Sequence, residues 1–131
     1  MEILSGRFML HPRDFDRSVS FYRDTLGLHP MREFGEGASR GVVFFLGGGY
    51  LEITNGPADP PAASTELWLQ VRDVGQAERD LRAAGVSVLE GATEKPWGLI
   101  ELRACDPDGL TLIFVEVPAE HPLRRDKREL E

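Results

Sequence analysis

One local plan occurs twice in this chain, and it restricts the fold more than any other feature. In the first copy, GRFMLHPRDFDRSVSFYRDTLGL from Gly6 to Leu28, a short apolar run ends at a proline, an aspartate opens an amphipathic helix, and a glycine closes it. Arg7 to His11 reads as a strand, with Phe8 and Leu10 on one face and Arg7, Met9 and His11 on the other. Pro12 ends it, having no N–H to offer a ladder. Asp14 is placed as N-cap, and Phe15, Val19, Tyr22 and Leu26 make an apolar stripe at spacings of four, three and four. Gly27 suits a left-handed C-cap. The second copy starts near Glu66. Thr65 to Arg72 reads as a strand with Leu67, Leu69 and Val71 opposite Glu66, Trp68 and Gln70. Asp73 caps a helix whose stripe is Val74, Ala77, Leu81 and Ala84, and Gly85 stops it.

Three strands are expected after each helix. In the first half these are His29–Phe34, Gly41–Leu46 and Tyr50–Asn55, with Gly47-Gly48-Gly49 as a tight hairpin connection. In the second half they are Val86–Leu89, Leu99–Ala104 and Leu110–Val117, with turns at Lys95-Pro96-Trp97-Gly98 and Asp106-Pro107-Asp108-Gly109. Residues 56–64, GPADPPAAS, cannot hold a strand or helix interior and join the halves. The expected organisation of residues 1–131 is one domain: a first βαβββ module at 6–55, a linker at 56–64, a second module at 65–117, and a polar tail at 118–131. The tail reads as solvated or as a short terminal helix, with Leu130-Glu131 as a cloning remnant. The fold class is α+β, two βαβββ modules forming curved mixed sheets around a concave cleft with the helices outside.

The repeat also says which side chains share the cleft. Counting back seven residues from Asp14 gives Arg7, and seven from Asp73 gives Glu66. The period of two puts both on the face away from the helix-covering residues. Arg7, Glu52, Glu66 and one residue of the last strand are expected to meet there. His11 lies on the face of Arg7 but four residues on, ~13 Å at strand rise, too far for one coordination sphere.

Charge and cysteine usage exclude other classes. A net charge of −7 and a pI near 5.0 argue against sequence-independent nucleic-acid binding, which needs a basic surface. The single cysteine, Cys105, permits no intrachain disulfide and fits a reducing cytoplasm. MEILSGRF lacks the features of a signal peptide, and no run approaches the ~18 apolar residues of a membrane span. A cytoplasmic protein with no membrane partner is expected.

The pattern DFDRSVSFYRDTLGL, the second Asp–helix–Gly unit and DPDGLTLIFVE together resemble the vicinal oxygen chelate superfamily, over roughly residues 6 to 117. That group includes glyoxalase I, extradiol dioxygenases, fosfomycin-resistance enzymes and bleomycin-resistance proteins. Its enzymes generally hold a divalent metal by His and Glu from the first and last strands of each module. Carried over, those positions are Arg7, Glu52, Glu66 and Ile113, the last within a register of about two residues. Arginine keeps its proton and has no lone pair, and isoleucine has no donor atom. Two carboxylates without imidazole fall short of a catalytic Zn, Ni or Fe site. No metal and no other cofactor is therefore expected, with Arg7 supplying positive charge between Glu52 and Glu66.

Trp68 shares the face of Glu66, and Trp97 sits in the turn KPWG. EKPWGLIEL followed by DPDGLTLIFVE is similar to the matching part of bleomycin-resistance proteins, which sequester a flat cationic antibiotic between aromatic residues. The resemblance implies a metal-independent binding protein for a cationic, aromatic small molecule, acting as a homodimer in antibiotic resistance. Trp68 and Trp97 would stack on the ligand, and Glu52, Glu66 and Glu101 would supply negative potential. The full expected ligand face comprises Arg7, Met9, His11, Tyr50, Glu52, Glu66, Trp68, Gln70, Trp97, Glu101 and Ile113. The alternatives are a glyoxalase-like lyase, isomerase or dioxygenase with an atypical metal site or acid–base chemistry at Glu52 or Glu66, and a protein-interaction domain with a vestigial cleft.

Overall fold

A computed structural model of the chain describes residues 1–124. The remainder of the expected polar tail, 125–131, with its Leu130-Glu131 ending, lies outside the described residues. The chain divides into two compact units, Met1–Ala62 with Pro107–Gly109, and Ala63–Asp106 with the chain from Leu110 onward. No described helix is long and apolar enough to cross a membrane.

The first unit is a four-stranded mixed sheet. Its strands are β1 (Arg7–Leu10), β2 (Pro30–Phe34), β3 (Gly41–Leu46) and β4 (Gly49–Thr54), in the order β1-β4-β3-β2. β1 runs parallel to β4, and the other pairs are antiparallel. Helix α1 (Phe15–Ser20) packs on β4. Leu51 and Ile53 of β4, with Val42 and Phe44 of β3, are buried on one side of the sheet. Tyr50, Glu52 and Thr54 point to the other side.

The second unit repeats the arrangement with β5 (Glu66–Gln70), β6 (Val88–Glu94), β7 (Ile100–Cys105) and β8 (Thr111–Glu116), ordered β5-β8-β7-β6 with β5 parallel to β8. Helix α2 (Val74–Ala83) packs on β6, β7 and β8 through Val74 and Leu81. The α+β class and the two βαβββ modules of the sequence reading are therefore observed.

The caps behave as the sequence demands. Asp14 accepts from the Arg17 N–H and Asp73 from the Gln76 N–H, each at 3.0 Å, and Gly27 and Gly85 both take φ 75° just beyond their helices. Replacing Asp73 with alanine is expected to cost about 1 kcal/mol, read from urea melts.

Two elements depart from expectation. The first helix does not run evenly to Leu26. From Phe21 to Thr25 it widens to a π turn, with the Leu26 N–H donating to the Phe21 carbonyl at 2.9 Å. The extra residue turns Phe21 inward beside Tyr22, their rings edge to face at 5.0 Å, and leaves Leu26 only half-buried. Strand β6, expected at Val86–Leu89, runs from Val88 to Glu94. Its later part, EGATE, has no apolar alternation to betray it. It is irregular between Glu90 and Thr93, and the Ala92 N–H turns to the Glu78 carboxylate of α2 at 2.7 Å. In the tail, read as solvated or as a short terminal helix, Pro122–Arg124 form one 3₁₀ turn.

The Glu78 anchor carries a pH signature. The Ala92 N–H and then Arg82 hold its carboxyl below the ordinary glutamate range. A depressed folded-state pKa gives stability that is complete above the unfolded pKa and is lost as pH falls through the folded value. Glu78→Gln is expected to flatten part of the acid limb of a melting-temperature profile between neutral pH and pH 3.

Candidate functional site

The side of each sheet away from its helix carries the chemistry. In the first sheet Arg7 stands opposite Tyr50 across the β1–β4 ladder, and Met9 opposite Glu52. The Arg7 guanidinium donates from Nη1 to Glu52 Oε1 at 2.6 Å and lies over the Tyr50 ring at 5.7 Å. Phe45 packs beside Tyr50 with ring centroids 6.0 Å apart. Met9 is exposed. His11 lies just beyond the strand, with Nδ1 2.8 Å from the Thr54 hydroxyl. This face is an aromatic and thioether surface around one guanidinium–carboxylate pair.

In the second sheet Glu66 stands opposite Thr111 and Trp68 opposite Ile113. Position for position, Trp68 and Ile113 repeat Met9 and Glu52, so the ladders fix Ile113 as the counterpart of Glu52. Glu66 takes its cation from its own sheet: Arg103 Nη1 donates to Glu66 Oε1 at 2.5 Å. This bond first, then the charges of Glu66, Glu101 and Glu90, push the Arg103 pKa up. Lys95 holds Glu90 in the same way at 2.5 Å. Trp68 is half-exposed, Gln70 is exposed at the strand end, and Ile113 is buried with Leu99, Val115 and Val117.

Glu101 is different. It is 5% exposed, and its partner is neutral: the Trp97 indole Nε1–H donates to Glu101 Oε2 at 2.6 Å. No ion pair holds it among the described residues. Trp97 itself is 57% exposed on the turn before β7. A buried carboxylate thus sits at the N–H edge of an exposed indole. Accepting the indole hydrogen pushes electron density into the ring, which strengthens its attraction for a cation on its face.

These contacts revise the expected roles. Arg7 does pair with Glu52. Glu66, expected to share Arg7, is engaged by Arg103, which the sequence reading did not single out, although the period of two places 101 and 103 on one face of β7. Of the three carboxylates expected to supply negative potential, Glu52 and Glu66 form ion pairs, and Glu101 forms none among the described residues. His121, expected in a solvated tail, contacts the Trp97 carbonyl at 2.9 Å.

The metal positions can be tested on their donor chemistry. Glu52 Oε1 faces a guanidinium, Glu66 Oε1 faces another, and Ile113 and Arg7 offer no lone pair. Among the described residues no three His, Cys, Asp or Glu side chains gather as a metal-binding group. These residues do not fit a catalytic divalent metal.

Comparison with known proteins agrees with the fold. Residues 5–114 match the Glyoxalase/Bleomycin resistance protein/Dioxygenase superfamily. Among solved structures, a protein of unknown function from Agrobacterium tumefaciens is 27% identical with TM-score 0.70, covering 90% of this chain and 95% of its own. A superfamily member from Sphaerobacter thermophilus is 23% identical with TM-score 0.72, covering 88% of this chain and 98% of its own. A glyoxalase-related enzyme from Fulvimarina pelagi is 21% identical with TM-score 0.72, covering 91% of each chain. No curated protein matches. With the match spanning both βαβββ modules, the chain belongs to the glyoxalase/bleomycin resistance protein/dioxygenase superfamily.

Proposed function

We propose that this protein binds a cationic, aromatic small molecule of the bleomycin type and protects by sequestering it, without a metal and without converting it. The observation that carries this reading is the Trp97–Glu101 pair: an exposed ring whose N–H meets a buried carboxylate that forms no direct ion pair among the described residues. A flat ligand can stack on the indole, and its positive charge compensates Glu101. Trp68 adds a second exposed aromatic surface on the helix-free side of the same sheet. The Arg7–Glu52 pair supports a non-metal site, because the guanidinium already meets the charge that a ligated cation would meet. The active species in this proposal is a homodimer, as the family resemblance implies, and sedimentation velocity tests that state.

Tryptophan fluorescence tests the binding. Titration with metal-free bleomycin is expected to quench emission saturably. Trp97→Ala should weaken binding by about 10–100-fold, the loss typical of an aromatic anchor. If Trp97→Ala and Trp68→Ala both bind as the unmodified chain does, the assigned surface is wrong.

A further inference from the structure

The segment after β8 returns to the Trp97 turn through one side chain, His121. Its two ring nitrogens have opposite roles. Nε2 lies 2.9 Å from the Trp97 carbonyl oxygen, which can only accept, so Nε2 carries a hydrogen. Nδ1 lies 3.1 Å from the Leu123 backbone nitrogen, whose N–H can only donate, so Nδ1 is bare. Both contacts hold together only for neutral imidazole in the Nε2–H form. The ring also rests in space left by a glycine. Gly98 has φ 86°, and a Cβ there would stand 3.1 Å from the His121 Cδ2. The His121 N–H donates to the Pro118 carbonyl at 2.9 Å, closing the turn that brings the ring back. Trp97 is therefore fixed twice, at its indole by Glu101 and at its backbone by His121.

We infer that His121 is a positioning residue for the Trp97 surface and that it docks only as neutral imidazole, so that the surface is held at neutral pH and released in acid. This rests on the reading of Trp97 as the ligand surface. A second ring proton would sit on Nδ1 and face the Leu123 N–H, donor against donor. The ring must then turn, and turning withdraws Nε2 from the Trp97 carbonyl. Histidine is the side chain whose ordinary charge change falls between pH 5 and 8. The elements that it meets carry other charged groups. On the 95–98 turn, Lys95 is held by Glu90, whose carboxyl that bond keeps below its ordinary range. Glu101 of β7 accepts from the indole N–H, and Glu120 neighbours His121 on its own segment.

The test needs no ligand. In a Trp68→Phe background Trp97 is the sole tryptophan, and its quenching by acrylamide is measured at pH 8 and pH 5. The quenching constant should rise roughly twofold on acidification as one hydrogen bond is lost. His121→Ala should be high at both pH values. His121→Gln keeps an amide N–H for the Trp97 carbonyl and does not titrate, so it should be low at both. Nitrogen-15 NMR should show the Nε2–H tautomer of His121 at pH 8. A pH step that survives in His121→Gln would assign the response to Glu101 or Glu120 and overturn the inference. So would a flat unmodified profile or an Nδ1–H tautomer. Because these readouts involve no ligand, they stand or fall apart from the bleomycin titration at pH 8.

Discussion

Replacing Glu101 with glutamine will weaken binding of an aromatic cation by roughly 10–100-fold while leaving the fold as stable as before or more so. The two effects have opposite signs because the carboxylate does opposite things in the two states. Without ligand, Glu101 is a carboxylate kept from water at 5% exposure; its direct partner is a neutral indole N–H, and Arg103 acts on it only through space. Desolvation penalises it, and a neutral amide of the same shape removes that penalty. Glutamine still presents a carbonyl oxygen to Trp97, so the indole keeps its acceptor. With a cationic ligand on the ring, the buried charge gains a further cation at close range, and the amide cannot replace that gain. Urea melts and a binding titration on the same sample separate the two terms. A purely structural Glu101 predicts the reverse pattern, with stability lost and binding at saturating protein unchanged.

Arg7→Ala has the other profile. The Glu52 side chain is 10% exposed and that of Arg7 39%, and they meet at 2.6 Å. Removing the guanidinium strands a nearly buried carboxylate. Breaking a fully buried pair costs about 3–5 kcal/mol, and the partial exposure of Arg7 reduces this to about 2 kcal/mol. Adding Glu52→Gln to Arg7→Ala should recover most of that loss, since the orphaned charge is then gone. The coupling is read from a double-mutant cycle in urea. Arg7 and Glu101 thus separate two settings of a carboxylate on these sheets: Glu52 is ion-paired to a guanidinium, and Glu101 is hydrogen-bonded to an indole N–H.

The fold was legible because it is written in short-range signals. Asp14 and Asp73 open helices, Gly27 and Gly85 close them, and alternation separates Leu51 and Ile53 from Glu52. What escaped depends on contacts between distant residues. The wide turn at Phe21–Thr25 keeps the apolar content of an ordinary helix and changes only which residues face inward. The later part of β6 is polar and is set in place by Glu78, fourteen residues before Ala92. At the site, strand period two places Arg7 and Glu52 on one face, and their pairing followed. The same rule placed Glu66 and Glu101 on a face but could not say which cation reaches which carboxylate. That choice is made by Arg103 and Trp97, whose side chains reach Glu66 and Glu101. His121 gave no periodic signal at all, because its role is set by a turn that folds back on Gly98.

The most direct test of the central claim is a calorimetric titration of metal-free bleomycin into protein dialysed against a chelator, with Glu101→Gln in parallel. The account predicts saturable binding that is unchanged when the chelator is present and is reduced roughly 10–100-fold in Glu101→Gln. Binding that appears only when a divalent metal is restored, or that is equal in the two proteins, would contradict it.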